Sequence, residues 1–232
     1  MPLLSPVVSG LWRVDLGIVN AYLVAGRDHM VLVDVGPPGS EAKVVEALAR
    51  LDLPPQAVGT VIVTHHHSDH AGALAAVLDA TGAEAWVSAE DAAEVRAGNA
   101  FRPYRPASGA LNWALERALI RPSPARYAPA PVAHEVADGD VLPGDLRAVA
   151  APGHTAGQIA LLWPEHGGVL IAADACTNLP TLGLSIIYED LDRGRETLRQ
   201  LAGLDFDTAV FGHGGPIVGD AAARFRSRFA DA

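Results

Sequence analysis

The run Thr64-His65-His66-His67-Ser68-Asp69-His70 places four histidines and an aspartate within seven residues, directly after the apolar residues 58–63. Imidazole nitrogens and carboxylate oxygens are ligands for borderline divalent cations, and burying a group of them is costly unless a cation compensates. If residues 58–63 form a buried strand and the chain leaves it extended, alternate side chains point the same way. His65 and His67 then face one side and can grip one metal, while His66 faces the other and is not expected to be a ligand. Asp69 and His70 fall at the start of a helix predicted over residues 71–80 and can reach a second metal beside the first. The alternative is a solvated histidine-rich loop, which the strand-loop-helix setting disfavours.

Such a run needs partners, and the chain supplies them. His154 follows the apolar residues 146–151, Asp174 closes residues 169–173, and His213 follows residues 208–212. Each is a metal-binding residue type at the exit of a predicted strand, where open α/β sheets present functional groups. Either histidine taken singly would more often be an ordinary loop residue; their coincidence with the run makes a shared site the better reading.

In this order the residues resemble the metallo-β-lactamase-fold hydrolase superfamily, whose signature is a His-x-His-x-Asp-His loop followed by a Gly-His, an Asp and a last His. The resemblance runs from the opening strands and Val33-Asp34-Val35-Gly36 to Phe211-Gly212-His213-Gly214. It implies an α+β fold: an αββα four-layer sandwich, two β-sheets packed face to face with helices outside. It implies two divalent metal ions, one held by His65, His67 and His154, another by Asp69, His70 and His213, with Asp174 bridging both. Zinc is the first expectation for such ligands, with iron or manganese as alternatives. Asp34 would hold the ligand loop from behind, the alternative being a plain turn aspartate.

The activity implied is metal-dependent hydrolysis of a small acyl substrate, a lactone, ester or thioester, by a metal-bridging hydroxide, with Asp69 and Asp174 as catalytic carboxylates. The alternatives are an oxidoreductase resembling the mononuclear non-haem iron persulfide dioxygenases, and β-lactamase-like amide hydrolysis. Formal charge is 17 minus 27, or −10, and Lys43 is the single lysine. Nucleic acid is therefore an unexpected partner, the exception being a local cluster of Arg96, Arg102 and Arg105. Cys176 is the only cysteine, so no intramolecular disulfide can form. It stands two residues beyond Asp174, where a carboxylate occupies the position that zinc β-lactamases generally give to a cysteine, and it reads as a small buried apolar residue.

At 232 residues and 50% hydrophobic, the chain can bury a substantial core as one domain over 1–232, with two related halves. Strands are expected at 7–14, 18–24, 30–35, 58–63, 84–87, 132–136, 146–150, 158–163, 169–173 and 208–211. Helices are expected at 40–51, 71–80, 88–97, 192–201 and from about 220, Ser88 and Asp91 resembling a capping box. Strands then helices in both halves suggest a two-sheet sandwich with helices outside. Residues 99–131 break the rhythm, with a helix predicted over 110–120, and read as a lid or specificity insert. Its Phe101, Tyr104 and Trp113, with Tyr188 from a later loop, are the candidate substrate contacts; the alternative is that these aromatics only pack the insert down. The N-terminus lacks a basic segment followed by a long apolar one, and no apolar run reaches membrane-spanning length, so a cytoplasmic protein is expected. A small-molecule substrate is the expected partner, with no membrane; a homodimer stays open.

Overall fold

The computed structural model describes residues 2–230; Met1, Asp231 and Ala232, the ends of the expected 1–232 unit, lie outside the described residues. A seven-stranded sheet runs in the order Leu4–Val8, Leu11–Asp15, Asn20–Ala25, Met30–Val33, Val58–Val63, Glu84–Ser88, His134–Val136. Its first four strands form an antiparallel meander and the rest pair in parallel. A six-stranded sheet runs Ile217–Val218, Thr208–Val210, Val169–Ile171, Ile159–Trp163, Leu146–Ala150, Val141–Leu142, antiparallel except where Val169–Ile171 meets Thr208–Val210.

The strand period of two explains the layering. Val31, Val33 and Ile62 point inward and meet Leu146, Leu161, Val169, Ile171 and Val210 of the other sheet. Their neighbours Leu32, Val61 and Val63 point outward, onto Val44 and Leu48 of helix Glu41–Ala49 and onto Leu74 and Val77 of helix Leu74–Thr81. On the far side Leu170 and Ala172 point outward against Leu198 and Leu201 of helix Leu191–Ala202 and Phe225 and Phe229 of helix Ala221–Phe229. Strands apolar on both faces therefore become the two middle layers of an αββα sandwich, with helices outside. Among the described residues no helix is long and apolar enough to cross a membrane.

Two expectations need correction. Residues 7–14 are not one strand: Val8 pairs with Leu11 across Ser9-Gly10, and Gly10, at φ +80°, makes the hairpin that an apolar run concealed. The helix expected over 71–80 breaks at Gly72-Ala73 into Ser68–Ala71 and Leu74–Thr81, where Ala73 leaves helical geometry at φ −92° and ψ 6° and its N–H donates to Gly36 O at 3.1 Å. Helix Ala110–Leu115 of the insert continues as a π-helical turn over Glu116–Ile120. The insert is stitched down by a two-residue ribbon, Arg105–Pro106 against Ile187–Tyr188, and closed at its base by the bridge between Asn99 and Arg126.

Candidate metal centre

The histidine loop is built outward from Asp34, whose backbone takes the uncommon φ of +60° at the end of its strand. Its carboxylate accepts from Thr64 N at 2.8 Å, from Thr64 Oγ1 at 2.8 Å and from His70 Nδ1 at 2.8 Å. Thr64 Oγ1 donates there, so at 3.1 Å from His65 Nδ1 it acts as acceptor, which puts the His65 proton on Nδ1. His67 ends the extended segment, and its carbonyl accepts from His70 N and Ala71 N to open the short helix bearing Asp69 and His70.

The other rings are aimed by backbone carbonyls. His154 Nδ1 donates to Ile187 O at 2.9 Å, and His213 Nδ1 to Ile18 O at 2.6 Å. A carbonyl oxygen only accepts, so Nδ1 carries the proton in each and Nε2 points inward, the orientation a metal-binding histidine needs. His213 is held from the opposite sheet as well: Asn20 Nδ2 donates to Phe211 O at 3.0 Å and Gly214 O at 2.8 Å, and Tyr22 Oη donates to Phe211 O at 2.7 Å. Gly212 has no room for a side chain, because a Cβ would strike the Asp174 carboxylate and His70. Asp174 follows Ala173, itself at φ +48°, and its carbonyl accepts from Ser185 Oγ at 2.7 Å.

Three groups of donors converge, each within 4.8 Å: His65, His67 and His154; His65, His70 and Asp174; Asp69, His70 and His213. Asp174 touches both ends, with Oδ1 3.5 Å from His70 Nε2 and Oδ2 3.1 Å from His213 Nε2 and 3.7 Å from His154 Nε2. Asp69 Oδ2 lies 3.3 Å from His213 Nε2. His65 Nε2, His70 Nε2 and Asp174 Oδ1 are buried with no hydrogen-bond partner, and His67 Nδ1 faces His154 Nε2 at 3.0 Å. Buried polar atoms are nearly always satisfied, so inward-facing nitrogens and oxygens left over in one place fit a cation.

Charge divides the cluster. Burial, then the neighbouring imidazoles, push His65 and His67 well below the ordinary imidazole range, and burial lowers His154 too. Burial opposes a charge on His70 as well, yet Asp174, Asp34 and Asp69 outweigh it and push its pKa up to about 10. His213 is raised against burial by Asp174 and Asp69. Burial would raise both carboxylates, but His213 and His70 hold Asp174, and His70 and His213 hold Asp69, below the usual range.

The structure thus brings together all seven candidate ligands, His65, His67, Asp69, His70, His154, Asp174 and His213. His66 points away, its Nδ1 3.1 Å from Asp91 Oδ2. Phe101 lies on the wall, 5.0 Å from the His67 ring, with Tyr104 5.7 Å further along. Tyr104, Trp113, Arg105, Pro106, Glu116 and Arg121 line a cavity of about 600 Å³ under the insert helix, and Trp113 is 55% exposed. Tyr188 departs from expectation: it is fully buried, its hydroxyl donates to Ala175 O at 3.0 Å and accepts from Ser185 N at 3.0 Å, and its ring edge backs His154. Its one proton is taken and the side chain is fully buried, so it is not presented to a substrate. Cys176 is fully buried in the outer core, its thiol pKa pushed up by burial and by Asp174.

The sequence reading missed Asn20, Tyr22, Thr64 and Asp91. Thr64 was within reach, since a hydroxyl beside a histidine loop is a candidate support; the others act on residues far along the chain.

Comparison with known proteins agrees with this geometry. The sequence profile of the metallo-beta-lactamase superfamily matches residues 14–213. YqjP of Bacillus subtilis (strain 168), a probable metallo-hydrolase, is 30% identical over 222 residues, covering 87% of this chain and 69% of YqjP. YobT of the same organism, an uncharacterized protein, is 29% identical over 158 residues, 68% of this chain; the match spans 61% of YobT, so less than two thirds of that relative's length. The hydroxyacylglutathione hydrolase of Cupriavidus taiwanensis is 29% identical over 182 residues, 75% of this chain and 55% of that enzyme. Among solved structures, a metallo-beta-lactamase family protein from Thermus thermophilus superposes with a TM-score of 0.70 at 26% identity, covering 95% of this chain and 79% of that one.

Proposed function

Because the chain belongs to the metallo-beta-lactamase superfamily, we propose that it is a dinuclear metal-dependent hydrolase of a small acyl substrate, a thioester, lactone or ester. The observation that carries this reading is the convergence of the seven donors in three overlapping groups, with His65 Nε2, His70 Nε2 and Asp174 Oδ1 buried and unpartnered among them and Asp174 in reach of His70, His154 and His213. His65, His67 and His154 would hold one ion, Asp69, His70 and His213 the other, with Asp174 between them; zinc suits so many imidazoles. When bound, the pair would polarise a carbonyl oxygen and make water a nucleophile near neutral pH.

The chain's own residues do the rest. Asp69, whose side chain is 25% exposed, is the one carboxylate of the cluster open to the cleft, and held ionised it orients the attacking water by accepting its hydrogen bond. Asp34, Ile187 O and Ile18 O keep His70, His154 and His213 in one tautomer and one orientation. Phe101 gives the wall beside His67 an apolar face. Ile18, 70% exposed, and Leu179, 67% exposed, flank the strands that carry and support His213. With a net charge of −10, this setting favours uncharged acyl groups over polyphosphates or nucleic acid.

Thioesters head the proposal because hydroxyacylglutathione hydrolases are among the relatives. The test is a panel of an acylglutathione thioester, a lactone, an aryl ester, a β-lactam and a phosphodiester, assayed with one zinc-loaded preparation. Turnover of a thioester, lactone or ester above the other two classes is expected. Cleavage of only the phosphodiester or only the β-lactam would refute the substrate class, and two equivalents of zinc should be retained in either case.

A further inference from the structure

Behind the histidine loop lies a second buried polar cluster that the proposed chemistry does not use. Asp91, fully buried, sits in the first turn of helix Ala89–Ala97. Ser88 Oγ already caps that helix by accepting from Asp91 N at 3.3 Å, but the carboxylate does not complete a reciprocal box. It leaves the helix. Its Oδ2 accepts from His66 N at 3.1 Å and from Thr155 Oγ1 at 2.9 Å, and stands 3.1 Å from His66 Nδ1. Its Oδ1 accepts from Arg102 Nη1 at 2.7 Å.

The two residues that meet Oδ2 are informative by position. His66 lies between His65 and His67, and Thr155 follows His154, so one oxygen atom joins the immediate neighbours of all three histidines in the first group. Gly157, in the same turn as Thr155, is needed for this approach, since a Cβ there would strike the Asp91 carboxylate. Arg102, from the insert, braces the junction: Nε donates to Glu94 Oε1 at 3.1 Å, Nη2 to Glu90 O at 2.6 Å, and Nη1 lies 3.6 Å from Glu189. Glu189 in turn accepts from Ala156 N at 2.7 Å, and its own N–H donates to His154 O at 3.1 Å. A buried carboxylate is costly unless fully paired, and this one is paired on both oxygens by groups from three separate segments. None of these contacts reaches Asp69, His70, Asp174 or His213; Asp34 holds His70, Ser185 holds Asp174, and Asn20 and Ile18 hold the His213 segment.

We propose that Asp91 is a positioning residue that fixes the loop of His65 and His67 against the loop of His154, setting the spacing of the three-histidine group alone, with Arg102 as its brace from the insert. This rests on the metal-centre reading above. Outer partners of metal ligands change affinity by about 10–100-fold when removed, and here the loss should fall on one group only.

The experiment is a zinc titration against a chromophoric chelator, repeated with cobalt to follow the ligand-field spectrum of each ion, on wild type, Asp91→Asn and Thr155→Val. Asp91→Asn should weaken one of two ions by about 10–100-fold and shift only that ion's cobalt spectrum. In a His213→Ala background the same change should weaken the remaining tight ion by the same factor, and in a His154→Ala background it should add nothing. Thr155→Val, which deletes a single bond, should give a smaller loss of the same selectivity and serves if Asp91→Asn does not fold. Equal affinities in wild type and variants, or equal loss at both ions, would overturn the proposal while leaving the metal centre standing. A wild type that binds no metal would overturn the metal centre itself.

Discussion

His65, His67 and His154 face one another with ring centres 4.7–4.9 Å apart, and burial, helped by neighbouring imidazoles including His70, holds their pKa values below the ordinary imidazole range. His70 and His213, their ring centres 5.7 Å apart, are surrounded by carboxylates that outweigh burial, pushing the pKa of His70 up to about 10 and raising that of His213. His65 and His70, both fully buried, thus reach opposite charge states, and the neighbours decide. A cation reaching the first group meets neutral imidazoles; at the second it must displace protons.

The largest test removes the residue that spans both sides. Asp174→Asn keeps the shape and deletes the negative charge shared by His70, His154 and His213; kcat for the best substrate of the panel should fall by about two orders of magnitude or more. Steady-state kinetics retaining over a tenth of wild-type turnover would break the picture of Asp174 as the bridge. Next, His213→Ala should lower zinc retained after gel filtration from two equivalents to about one, read by elemental analysis. Two equivalents retained would erase the distinction between the groups.

The pH dependence follows with its sign. The pKa of His70 in the folded chain, about 10, lies above the ordinary value of 6.5, so its ion pairs add stability in full below about 6.5, and this is lost as pH rises through about 10. Metal affinity runs the opposite way: between pH 7 and 9 the His70 group should gain at least about tenfold per unit, a factor of ten for each proton displaced, while the three-histidine group stays flat. Competition titrations at several pH values would show two slopes; a single common slope would sink the comparison. The smallest effects are controls. Trp113→Ala should raise KM for a hydrophobic substrate about threefold with kcat unchanged, since it removes binding shared by ground and transition states. Cys176→Ala should leave both metal affinities and kcat unchanged and lower Tm by only a few degrees, as expected of a small apolar residue away from the donors.

The convergence of His65, His67, Asp69, His70, His154, Asp174 and His213 was legible because metal-ligand types at strand exits are scarce, and because runs such as Val58–Val63 mark strands apolar on both faces. The hairpin at Ser9-Gly10 was hidden by apolar residues on both sides. Ribbons two residues long, such as Ile187–Tyr188, carry no period, and their pairing with the insert arises from tertiary contact; Tyr188 was misread for that reason. Asn20 supports Phe211 across 191 residues, and the Asp91 carboxylate reaches Thr155 across 64. A local pattern shows a cap at Asp91 but not where its oxygens go.

The donors come from both sheets, and Asn20 and Tyr22 already fasten the His213 segment to the opposite one. An ion bound there would act as a rivet between the layers, present only once they are stacked. Ligands of the native state alone stabilise it by mass action, about 4 kcal/mol at a thousandfold excess over Kd. During synthesis, residues 65–70 emerge well before residue 213, so a chain cut short of its last strands has half a socket and no rivet. Metal supply and survival against proteases would then be coupled: chelation, with no change of sequence, should turn an intact chain into one that opens along the seam between its sheets.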